Sequence, residues 1–95
     1  MIKIIIERRI MPGLEEEYEQ VAREAMRQVL GAPGFGGGES LVEMGHEDRR
    51  MVITKWRDLR AWQEWRDSEQ RARVMQDLYP LLTEEERIRL YTLSY

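Results

Sequence analysis

The stretch from Met51 to Arg71, MVITKWRDLRAWQEWRDSEQR, constrains the fold more than any other part of the chain. Met51 to Trp56 is rich in β-branched residues and reads as a strand. Asp58 is a natural helix N-cap. Leu59, Trp62 and Trp65 follow at three-residue spacing, which places them on one helix face. Ser68 offers a second N-cap, so a break and a second helical piece are expected there. All three tryptophans of the protein, Trp56, Trp62 and Trp65, lie in this stretch. Aromatic side chains bury more apolar area than any others, so this strand–helix corner should anchor the core. Either the three are purely core, or at least one of them also lines a pocket.

Ninety-five residues suit one small domain, here residues 1–95. The net charge of -3 and the lack of a basic run remove the electrostatic footprint of a nucleic-acid binder. The absence of cysteine excludes disulfides, thiol catalysis and thiolate metal sites. A single histidine, His46, removes the usual zinc constellations, so no metal is expected. The opening MIKIIIERR is too short for a signal peptide or a membrane span. The reading is a soluble, cytoplasmic protein without a membrane or nucleic-acid partner.

Ile2 to Ile10 reads as a strand. Ile2, Ile4, Ile6, Arg8 and Ile10 share one face; Lys3, Ile5, Glu7 and Arg9 share the other. Arg8 interrupts an apolar stripe, where an unpartnered charge is costly. It must either snorkel out at the strand end or project into a pocket. Met11-Pro12-Gly13 ends the strand, and Leu14 to Leu30 reads as a helix with the stripe Leu14, Tyr18, Val21, Ala22, Ala25, Met26 and Val29. Glu15, Glu16 and Glu17 suit its first turn as solvated residues at the positive end of the dipole. Gly31 suits its C′ position.

Phe35 to Met44 is a second strand, with Gly36, Gly37 and Gly38 marking a bulge or a close approach. Gly45-His46-Glu47-Asp48 is expected to be a polar turn, with His46 exposed and without a catalytic role. After Ser68, Ala72, Met75, Leu78 and Tyr79 recur at helical spacing until Pro80. Thr83 to Glu86 resembles a capping box and predicts one helical turn. Arg87 to Tyr95 is the last strand, with Ile88 and Leu90 on one face and Tyr91, Leu93 and Tyr95 on the other.

This order predicts an α+β, ferredoxin-like βαββαβ fold: a four-stranded antiparallel sheet with the helices on one face. The second sheet face should carry Ile5 and, from the last strand, Tyr91, Leu93 and Tyr95. An apolar face of that kind needs a partner, most simply a second copy of the chain in a homodimer.

The sequence resembles the antibiotic biosynthesis monooxygenase family of dimeric α+β barrels. The resemblance is carried by IIIERRIMPGLEEEYE at the start, GAPGF at Gly31 to Phe35 and GESL at Gly38 to Leu41. It continues through ITKWRDLRAWQEWRDSEQR at Ile53 to Arg71 and RIRLYTL at Arg87 to Leu93. Its most specific part is the run Trp56, Asp58, Ala61, Trp62, Trp65 and Ser68. The resemblance implies one of two chemistries. One branch oxidises aromatic polyketides to quinones with dioxygen and neither metal nor flavin; the other degrades heme. In the heme branch an Asn on the first strand, a Trp on the second helix and a downstream His carry the reaction. Arg8, Trp65 and Met75 stand at those positions here, so two of the three differ. For quinone formation Arg8 and Trp65 would be the catalytic pair, Arg8 stabilising an oxyanion and the Trp65 indole donating a hydrogen bond. Tyr18, Phe35, Trp62, Met75 and Tyr79 would wall a pocket for a small aromatic quinol or anthrone, with no cofactor. No general base stands out, since Glu7 should face the other side of the sheet. The alternatives are a non-catalytic small-molecule-binding or stress-related dimer and, further off, a heme protein.

Overall fold

The computed structural model describes residues 1–95. The chain runs β1 (Ile2–Arg9), α1 (Glu15–Val29), β2 (Phe35–Glu43), β3 (His46–Trp56), α2 (Leu59–Arg66), α3 (Glu69–Leu78) and β4 (Arg87–Thr92), with a short 3₁₀ turn at Tyr79–Leu81. The strands form one antiparallel sheet in the order β2-β3-β1-β4. This is the ferredoxin-like α+β arrangement that the order of elements predicts.

Local chemistry accounts for the elements. The Asp58 side chain accepts from the Ala61 N–H at 2.9 Å and starts α2. The Ser68 hydroxyl oxygen accepts from the Arg71 N–H at 3.1 Å and starts α3. The Asp58 carboxyl is held below its ordinary range chiefly by that backbone hydrogen bond, with Arg57 adding to it. The α1 stripe from Leu14 to Val29 is half-buried or buried throughout, as its spacing predicts. Gly34, not Gly31, takes the left-handed backbone after α1, at φ +83. A Cβ there would lie 2.6 Å from that of Ala61, so the turn can press on α2 only as glycine.

The glycines of β2 combine a bulge and a close approach. The register with β3 slips between Phe35 and Gly37. A Cβ on Gly38 would stand 3.3 Å from Met26 Sδ and 3.1 Å from Thr54 Cγ2.

Several boundaries and faces differ from the sequence reading. The β2–β3 turn lies at Met44-Gly45, so His46, Glu47 and Asp48 belong to β3, with Gly45 supplying φ +82. Residues 83–86 form no helical turn. In α3 it is Arg71, not Ala72, that turns inward with Met75 and Leu78. Leu59 is exposed, and Ala61 takes the inward place beside Trp62 and Trp65. β4 stops at Thr92, so Leu93 and Tyr95 lie beyond the sheet.

Cross-strand register sorts the two sheet faces. Ile4, Ile6 and Arg8 of β1 stand beside Thr54, Val52 and Arg50 of β3 under the helices. On the open face Ile5 pairs with Ile53, Glu7 with Met51 and Lys3 with Tyr91. Glu7 also meets Arg89 at 3.0 Å, so this face mixes apolar and charged groups.

The core divides into two apolar clusters. One gathers Ile4, Ile6, Val29, Val52, Trp56, Ala61, Trp62 and Trp65. The other gathers Ile10, Tyr18, Met75, Leu78 and Leu82. Trp56 is the hub of the first, with Phe35 and Trp62 edge-on to it at ring-centroid distances of 5.3 and 5.9 Å.

Candidate functional site

Arg8 does not snorkel to the surface. Its side chain is 4 % exposed, and its Nε donates to Glu86 Oε2 at 2.8 Å. Its Nη1 donates to the Tyr18 hydroxyl at 3.2 Å. Arg71 enters from α3. Its Nη2 donates to Glu86 Oε1 at 2.8 Å and its Nη1 to the Tyr79 hydroxyl at 3.3 Å. The Tyr79 hydroxyl in turn donates to Glu86 Oε1 at 3.0 Å. A polar layer of two arginines, one glutamate and two tyrosines thus joins residues of both clusters.

Burial is the largest single influence on both Arg8 and Glu86, and it opposes charge on each. For Arg8 it is outweighed by Tyr18 and Glu86, so the guanidinium binds its proton more tightly than usual. For Glu86 it is outweighed by Arg8 and Arg71, so the carboxyl is held below the ordinary glutamate range. Both groups are therefore ionised at neutral pH.

Beside this layer, between the sheet and the helices, is a mostly apolar cavity of about 50 Å³. Ile6, Arg8, Val52 and Thr54 line it from the sheet, Trp62, Trp65, Arg71 and Met75 from α2 and α3, and Ala25 and Met26 from α1. Ser40, exposed on β2, marks its mouth. The volume is about a third of the ~150 Å³ of an apolar cavity that takes benzene. A ring can enter only if a wall yields. Met26 is the side chain suited to that, because an unbranched thioether changes rotamer readily and this one is only half-buried.

On the residues that line the cavity, three sets of hydrogen-bond donors have no protein acceptor. Arg8 uses Nε and Nη1, which leaves Nη2 free. Arg71 uses Nη1 and Nη2, which leaves Nε free. Among the indoles only Trp56 has an acceptor, Thr54 Oγ1 at 3.0 Å. The Trp62 N–H is fully buried without one. An orphaned buried donor is uncommon and calls for a water or a ligand atom.

Of the residues picked out from the sequence, the cavity brings together Arg8, Trp62, Trp65 and Met75. Tyr18 lies beneath Arg8, fully buried, with Arg50 stacked over its ring at 5.4 Å. Phe35 packs on Trp56 behind the cavity. Tyr79 contributes its hydroxyl to the polar layer while half its surface is exposed. Glu7 faces the open side of the sheet in its pair with Arg89, and His46 stands on the β2–β3 hairpin, 3.6 Å from Glu43.

Sequence reasoning missed Arg71, Glu86 and Thr54. Arg71 carries the same signal as Arg8, a cation on an apolar stripe. With Met75 and Leu78 it makes an i, i+4, i+7 set, which the choice of Ala72 obscured. Glu86 gives no local signal, because only the tertiary fold sets it apart from Glu84 and Glu85.

No curated protein matches the chain. Among solved structures, an antibiotic biosynthesis monooxygenase superposes with a TM-score of 0.91 at 17% identity, covering 100% of both chains. SnoaB, a cofactor-independent oxygenase from Streptomyces nogalater, gives 0.87 at 20% identity over 99% of this chain and 94% of its own. A conserved protein from Methanosarcina mazei Go1 gives 0.88 at 16% identity over 95% and 89%. These likenesses establish the fold. The family profile described as antibiotic biosynthesis monooxygenase matches residues 1–77, most of the chain and all of the strand–helix corner. The chain belongs to the antibiotic biosynthesis monooxygenase family.

Proposed function

We propose that the protein is a cofactor-independent monooxygenase of a small aromatic molecule of the quinol or anthrone type, working as a homodimer. The observation that carries this reading is the cavity wall, where Arg8, whose Nη2 has no protein acceptor, stands with Trp62, Trp65 and Met75. SnoaB, with the same fold, is an oxygenase that needs no cofactor.

The chemistry asks little of the protein. An electron-rich anthrone or quinol loses a proton to water, and the resulting anion passes one electron to dioxygen. The radical pair combines to a C–O bond, and the peroxide loses water to leave a carbonyl. One oxygen atom enters the product and the other leaves as water. Arg8 stabilises the negative oxygen of the anion through Nη2 and is fixed in place by Glu86 and Tyr18. Such an arrangement needs no reorganisation during the reaction. Trp62 and Trp65 hold the ring system and keep water away from it. Met26 moves aside to admit the ring between α1 and β2.

The dimer belongs to the same reading. Ile5, Ile53, Met51, Leu41 and Tyr91 lie on a sheet face that no helix of the same chain covers. A second copy placed face to face would cover it.

A non-catalytic binding role is the second reading, favoured by one feature: no Asp, Glu or His lines the cavity to take the proton. Oxygen uptake with a panel of quinols and anthrones, in the presence of a chelator, separates the two. Turnover should appear with at least one substrate and fall about tenfold or more in Arg8→Gln. No uptake with any of them supports the binding role.

A further inference from the structure

The charges buried beside the cavity do not balance. The Arg8 and Arg71 side chains are 4% and 8% exposed, and the one carboxylate buried with them, Glu86, is 6% exposed. Both of its oxygens are occupied, Oε2 by Arg8 and Oε1 by Arg71 and Tyr79. Both arginines line the cavity, whereas Glu86 does not. The third buried arginine, Arg50, is also outside the wall and has its own partner, Glu19, at 2.6 Å.

The other polar groups of the wall are donors too. The Thr54 hydroxyl oxygen accepts from the Trp56 indole, which leaves its own proton to donate. The Trp62 indole N–H, buried behind the wall rather than open to the cavity, can only donate and is unpaired. Arg71 also lies over the Trp62 ring at 5.8 Å, so its cation is part of the aromatic wall. A surplus positive charge and unpaired donors in a confined site are both costly. One ligand feature relieves both, a negatively charged oxygen on a flat ring.

We propose that the cavity takes an aromatic molecule that is already anionic at neutral pH, a carboxylate or an ionised enol or phenol, and that Arg71 determines this specificity. The proposal rests on the oxygenase reading for the place of the substrate. Where the ligand arrives as an ionised enol or phenol, the step that follows also needs no base in the wall, and the wall has none. Arg71 would hold the anion through Nε while Arg8 faces the same charge from the sheet.

Calorimetric titration with 2-naphthoate and its neutral analogue 2-naphthamide tests this without turnover. The carboxylate should bind about tenfold more tightly or better, as a charge-assisted hydrogen bond implies. In Arg71→Gln that preference should disappear through weaker naphthoate binding, with the amide changed by less than about twofold, and Arg71→Lys should retain most of it. If Arg71→Gln does not fold, NMR of the wild-type arginine side chains at neutral pH decides: naphthoate must shift the Arg71 Nε–H resonance and naphthamide must leave it in place. Equal affinities, a preference that survives Arg71→Gln, or no binding of either compound would overturn the proposal. Tight, Arg71-dependent binding without oxygen uptake would leave it standing and remove only the oxygenase reading.

Discussion

Glu86 joins the two halves of the core. Removing its charge leaves Arg8 and Arg71 buried without a carboxylate, and breaking a buried ion pair from one side costs about 3–5 kcal/mol. Glu86→Gln should therefore lower Tm by more than about 10 °C in a chain of this size, measured by circular dichroism. The same group sets an acid limit. Its folded pKa is depressed, so its contribution is complete above the unfolded glutamate value of about 4.3 and is lost as pH falls through the lower folded value. Denaturant melts should show wild-type stability falling below about pH 4, with that part of the fall absent in Glu86→Gln. Unchanged acid sensitivity in the variant would count against the role given to Glu86. At this scale the sequence was only half legible. Arg8 stands out because its neighbours on the strand face are all isoleucines, and Arg71 carries the same signal more faintly. Glu86 was unreadable, since three glutamates in a row differ only in which one the chain reversal after the 3₁₀ turn brings to the arginines.

The elements themselves were easier to read, because caps and stripes are local. Asp58 and Ser68 cap α2 and α3 as their spacing implies, and Ser68→Ala should cost about 1 kcal/mol in a denaturant melt. The apolar stripe of α1 is the inward face. The hairpin turn lies earlier than the polar run suggests because Gly45 is its last residue, so His46 to Asp48 continue as β3, with His46 and Glu47 exposed and Asp48 half-buried. Tertiary packing decides the inner face of α2, where Ala61 fits against Gly34 and Leu59 remains outside. The α1–β2 seam is where the elements meet function. Met26 closes it against Gly38, so Met26→Ala should widen the mouth at a cost of no more than about 2 kcal/mol at this half-buried site. Larger fused-ring ligands should then bind more tightly, as read by tryptophan fluorescence, and an unchanged size limit would place the mouth elsewhere.

For the whole molecule, the ferredoxin-like order was legible from alternating strand and helix patterns. The open sheet face is less apolar than the sequence suggested, because Lys3, Glu7 and Arg89 share it with Ile5, Ile53 and Tyr91. Even so, light scattering should give about twice the 11.4 kDa chain mass. A folded monomer at micromolar concentration would exclude the face-to-face barrel. The claim that organises all three scales is that this fold brings an arginine and two tryptophans around an aromatic ring so that dioxygen can oxidise it. Labelled dioxygen tests that claim most directly. With an accepted anthrone or quinol, chelator present and no cofactor added, mass spectrometry should find one labelled oxygen atom in the product carbonyl, and the yield should fall about tenfold or more in Arg8→Gln. Product formed without label under conditions where the carbonyl does not exchange with water, or the same yield from the variant, would contradict the account.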